Sequence, residues 1–146
     1  MSQYFDMGDV TLWNPSNGAS RLFRRQVAVF EAELGLGSGI GPMEMDECQI
    51  DPVAFAAFVD ALLVLHRRTS HAIVLALSEG FTATVVVLAE RAGIRVDWER
   101  LGGAPDGPRE DVQVSAAGVA APPSGRSWST GLREQAARLE RRMPRQ

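Results

Sequence analysis

Cys48, His66 and His71 are the side chains in this sequence best suited to binding a soft metal such as zinc. The two histidines flank a predicted turn between helices, so their imidazoles could approach each other. Neither H-E-x-x-H nor paired C-x-x-C spacing is present, however, and histidines at helix ends commonly serve backbone carbonyls instead. The stretch PMEMDECQID brings Glu44, Asp46, Glu47 and Asp51 together. Such a group could hold a divalent cation or offer an acidic face to a basic partner, but it lacks the D-x-[DN]-x-[DN]-G order of an EF-hand. Carboxylates just before a helix are also favoured by the helix dipole alone. Glu79 stands in the middle of the apolar run HAIVLALSEGFTATVVVLA. Buried there, it needs a partner or a raised pKa, and Arg24, Arg25 or His71 could serve. No second carboxylate or nucleophile joins it at a helical offset. His71 with Glu79 is the candidate buried functional pair, around which a small-ligand pocket or an enzyme site would have to form.

The run LGLGSGIGP, residues 34–42, has a glycine at every second position. A dinucleotide fingerprint requires G-x-G-x-x-G, and from Gly35, Gly37 and Gly39 the sixth position is Ile40, Pro42 and Glu44. No G-K-[ST] follows, and the segment comes after a helix instead of a strand. It is read as a helix stop followed by a flexible loop. No catalytic residue, metal or cofactor is assigned.

The elements that must position these residues follow from periodicity. Two short runs of strand formers, YF and VTLW, separated by DMGD, predict an N-terminal hairpin turning at Gly8. Ala19, Leu22, Phe23, Val27, Phe30 and Leu34 recur at spacings of three and four, predicting a helix capped by Ser16 or Asn17 and ended by Gly35. Asp51 and Pro52 mark the start of a second helix that runs to about Arg68. A third helix, with Ser70 as its cap, reaches about Ala92 and stops at Gly93, and IRVDWE suggests a short strand beyond it. Residues 101–130 are rich in Gly, Pro and Ala and read as a flexible, disordered linker. The last segment, 131–146, predicts an amphipathic helix with Leu132, Ala136, Leu139 and Met143 in one seam. A helix that short must dock on something. The expected fold is mainly α: a helical domain over 1–100 with a three-helix core and a small N-terminal β-hairpin, then linker and tail helix.

The strings FDMGDVTLWNPSNGASRLF, SGIGPMEMDECQIDPVAF and LALSEG resemble a family of small uncharacterised proteins from GC-rich Gram-positive bacteria. The resemblance covers about residues 4–92 and implies a discrete domain with a dispensable tail. It implies no activity and no catalytic residue.

Composition narrows the functional classes. All 15 basic residues are arginine, and the net charge is −3, which disfavours non-specific nucleic-acid binding. A helix-turn-helix reading of 53–92 places alanine and leucine where base-reading side chains should project. Cys48 alone cannot form an intrachain disulfide, and the N-terminus lacks the pattern of a secretory signal, so a reducing cytoplasmic location is expected. Residues 71–89 approach the length of a membrane span, but a central glutamate argues for a buried soluble helix. Helices 51–68 and 71–92 are apolar over most of their circumference, more than one neighbouring helix can cover, so self-association as a homodimer is expected. The expected function is non-catalytic protein binding, immunity- or antitoxin-like in one form. Its contact surfaces would be the acidic loop and a tail helix carrying Trp128, Leu132, Leu139 and Met143. The rivals are a small-ligand pocket at Glu79 and His71, and a scaffold or cargo protein recruited through the tail.

Overall fold

The computed structural model describes residues 2–101 and 128–146, without the side chains of residues 100 and 101. The elements are β1 Tyr4–Met7, β2 Val10–Trp13, α1 Asn17–Leu34, β3 Glu47–Gln49, α2 Pro52–Arg68, α3 Ala72–Arg91, α4 Trp98–Leu101 and α5 Trp128–Glu140. The architecture is mainly helical with a small N-terminal sheet. The expected disordered linker falls almost wholly outside the described residues.

The hairpin forms as its pattern predicts, β1 and β2 pairing antiparallel around Gly8 at φ +61°. The acidic loop contains an element that periodicity did not reveal. Residues 47–49 make a third strand, parallel to β1, giving the order β2-β1-β3. Three residues are too few for an alternation pattern to show, and the backbone partner supplied by β1 lies more than forty positions away.

Helix ends are set by local chemistry. The Ser16 hydroxyl accepts from the Ala19 N–H at 3.3 Å, and Gly35 closes α1 in the left-handed conformation at φ +61°. The Asp51 carboxylate accepts from the Ala54 N–H at 3.3 Å, with Pro52 in the first turn of α2. At α3 the expected cap, Ser70, is replaced by His71, whose Nδ1 accepts from the Val74 N–H at 3.4 Å. The strand suggested by IRVDWE is absent. The chain turns at Gly93, runs irregularly and closes into the single helical turn α4.

A chain of aromatic rings joins the layers. Phe5 of β1 stacks on Trp13 of β2 at 5.5 Å, and both meet Phe23 of α1 edge-on. Phe23 and Phe30 in turn contact Phe81 of α3 at 5.6 and 4.5 Å. Aromatic pairs of this kind contribute about 0.5–1.5 kcal/mol beyond area burial.

The tail helix docks on its own chain. Leu132, Ala136 and Met143 are buried in the same core as Val85–Ala89 of α3. The Arg91 guanidinium donates to Leu12 O at 2.7 Å, Glu140 O at 2.9 Å and Met143 O at 2.7 Å, tying α3, β2 and the tail together. The Asn14 N–H donates to Pro144 O at 2.7 Å, so the two ends of the chain meet.

Candidate functional site

The acidic loop folds as a two-residue turn. Glu44 and Glu47 exchange backbone hydrogen bonds of 2.8 and 2.9 Å, and between them Met45 and Asp46 hold φ of 49° and 67°. Paired left-handed residues match the twist of a tight hairpin, but Asn and Gly normally occupy them, and methionine there is strained. Asp46 is anchored inward: its side chain accepts from Gln3 Nε2 at 3.1 Å and its carbonyl from the Tyr4 N–H at 2.8 Å. The strained turn leaves the Met45 side chain 98% exposed, with Glu44 and Glu47 exposed beside it. Asp51 is apart from this tip, capping α2.

The three soft-metal ligands go three ways. Cys48 is wholly buried in β3 and donates to Gly41 O at 3.2 Å. Burial pushes its thiol up to about 11, outweighing the opposing pull of Arg24. His71 caps α3. His66 is buried on α2, its pKa lowered by burial and only partly restored by Glu79. No group of three or more His, Cys, Asp or Glu side chains among the described residues is placed to hold a metal ion.

The glycine run is no phosphate cradle, but neither is it loose. The Glu31 carboxylate accepts from the Ser38 N–H at 2.8 Å and the Ser38 hydroxyl at 3.0 Å, and Ile40 bridges to Ile50.

Glu79 is half-buried and lines an open groove of about 790 Å³ with Gln135, Arg138, Leu139, Arg141 and Arg142. Arginines of the tail surround it, in place of the expected Arg24 or Arg25. His71 is absent from the groove, since eight helical positions separate it from Glu79, about 12 Å of rise. The candidate pair therefore does not share this groove.

The proposed tail contacts are largely committed to the fold. Leu132 and Met143 are buried, Leu139 is half-buried in the groove, and Trp128 lies between His66 and Trp98. Recruiting a partner through Leu132 or Met143 would require undocking α5.

The sequence pattern of DUF6086, a family of unknown function, matches residues 1–145. The chain belongs to this family. The match takes in the tail as well as the sheet and helices, so the family extends well beyond the residues 4–92 that carried the resemblance. No curated protein and no solved structure matches the chain.

One surface of this family member is left bare. The apolar girth of α3 exceeds what its own chain covers, and burial begins only at Ser78. Its first turns face outward, with Ile73 61% and Leu77 74% exposed beside Ala72, Val74, Ala76 and Gly80. Helical rotation places Ile73, Leu77 and Gly80 on one stripe, with Ala76 along its edge. The signal was the absence of any charge from Ala72 to Ser78, but composition cannot say which side of an all-apolar helix stays bare. By length and composition α3 could also cross a membrane, and half of that span is buried inside the fold.

Proposed function

We propose that the protein is a non-catalytic protein-interaction module. The observation that carries this reading is the uncharged outward stripe of α3. Covering Ile73 and Leu77 would contribute about 2–4 kcal/mol per copy towards association. The stripe offers no ion pair to a foreign partner, and an apolar stripe on one helix can pack against its own copy across a two-fold axis, so a second copy of the chain is the occupant proposed for it. The acidic tip with Met45 at its end is the separate surface for a basic partner, by electrostatic complementarity. An immunity- or antitoxin-like role is one form of that contact. A cytoplasmic location and a GC-rich Gram-positive origin belong to the same proposal, supported by the single buried thiol and by arginine as the sole basic residue type.

Photocrosslinking residues at Leu77, at Met45 and at the outward Arg25 test the reading in the producing cell. Adducts between two copies are expected at Leu77 and adducts with a different protein at Met45. Labelling at both positions no greater than at Arg25 overturns it.

A further inference from the structure

Three ring systems from three helices meet where the chain leaves the described fold and where it returns. Trp98 of α4 lies 5.7 Å from Trp128, the first residue of α5, and His66 of α2 lies 6.3 Å from the same Trp128 ring. The Arg133 guanidinium sits 5.2 Å over Trp98. The Trp98–Trp128 contact therefore brings the last helix of the first described stretch against the first residue of the second.

His66 is the unusual member of this clasp. It is only 7% exposed, and its Nδ1 has no hydrogen-bond partner. A neutral imidazole keeps one nitrogen as an acceptor, but an imidazolium must donate from both. The clasp's other unpartnered polar atom, Trp128 Nε1, is itself a donor and cannot receive that proton. The Trp128 ring centre lies just beyond the roughly 6 Å over which a ring face steadies a cation.

Among the charged groups around the clasp, Glu79 on α3 favours the charged ring. Arg67 is next along α2, and the Arg133 guanidinium of α5 is engaged over Trp98. Asp97 and Glu99 line the neighbouring groove of about 420 Å³ with Trp98 and Arg133. Burial is the largest influence and holds His66 below its ordinary 6.5.

We propose that His66 is a proton-operated latch, holding α4 and the first turns of α5 against α2 while neutral and releasing them when charged. The undocked state, with His66 in water, takes up its proton near pH 6.5, whereas the docked state resists it. Docking is therefore at full strength above about pH 6.5 and weakens as the pH falls, until the docked ring also protonates. The opening equilibrium rises at most tenfold for each pH unit by which the docked ring lies below 6.5.

The test uses the full chain. Amide hydrogen exchange at Trp128–Gln135 is followed from pH 8 to pH 5, corrected for intrinsic rates, with α1 as internal reference. The His66 ring is titrated in parallel by NMR, the His71 signal being assigned with His71→Asn. The expected result is a midpoint for His66 below 6.5 and acid-induced opening of α5 ahead of α1, with the pH dependence lost in His66→Gln. A midpoint at or above 6.5, or the same acid-induced opening in His66→Gln, overturns the latch. Should His66→Gln fail to fold, His66→Phe, which keeps an apolar ring in the site, gives the same comparison, and a wild-type midpoint at or above 6.5 overturns the latch whichever variant is used.

Discussion

Met45 and Gly39 show how differently two left-handed residues can be used. Met45 has its side chain in open solvent, so glycine there removes strain without removing a contact. Met45→Gly is expected to raise stability by about 0.5–1 kcal/mol, read as a higher denaturant midpoint, while weakening any contact made through the tip. Gly39, at φ +77°, has no such freedom. A Cβ there would meet Asp51 O and Phe55 N at 2.8 Å, both backbone atoms at the start of α2. Gly39→Ala is expected to cost about 2–4 kcal/mol, seen as a fall of several degrees in Tm. Cys48 gives a third test at this scale. With its thiol at about 11 against an ordinary 9.0, the thiolate fraction near pH 8 drops about a hundredfold. Alkylation of the native protein should be at least that much slower than in denaturant, and equal rates would show the thiol to be accessible. The sign on stability is alkaline: the neutral thiol's contribution is complete below pH 9 and is lost as the pH rises towards 11.

Among the elements, α2 has its start fixed most clearly by sequence. Asp51→Ala leaves the Ala54 N–H without its acceptor and should cost about 1 kcal/mol in chemical denaturation, with Asp51→Asn recovering most of it. Helix α5 depends on its neighbours. Thirteen residues are marginal as a free helix, and what holds its end is the Arg91 fork onto three backbone carbonyls from two parts of the chain. Arg91→Met keeps the apolar stem and removes those bonds. It is expected to cost about 2–4 kcal/mol and to speed amide exchange across residues 136–143 before it affects α1.

For the whole molecule, the tail completes the core. Removing residues 128–146 uncovers the side of α3 that packs on Leu132, Ala136 and Met143, adding bare surface to the outward stripe at Ile73 and Leu77. Light scattering of the truncated chain should show aggregation or unfolding, and a stable monomer would contradict the role given to α5. The full chain should show concentration-dependent dimers that Leu77→Arg abolishes without loss of helicity. An exposed substitution of that kind changes stability by no more than about 0.5 kcal/mol.

What the sequence determined by itself is local. Ser16 and Gly35 bound α1, Asp51 and Pro52 start α2, and Gly8 turns the hairpin, because capping and turn chemistry act within four residues and leave their mark in residue type. The glycine run could be dismissed as a nucleotide site for the same reason, since a fingerprint is a matter of spacing. Tertiary structure decided everything that depends on distant partners. It drew Glu47–Gln49 into the sheet beside β1, left His71 out of the groove that Glu79 lines, and set Trp128 against His66 and Trp98. It also chose which side of α3 stays uncovered. An apolar residue records that burial is favourable, but only the packed fold determines which of those residues finds a neighbour.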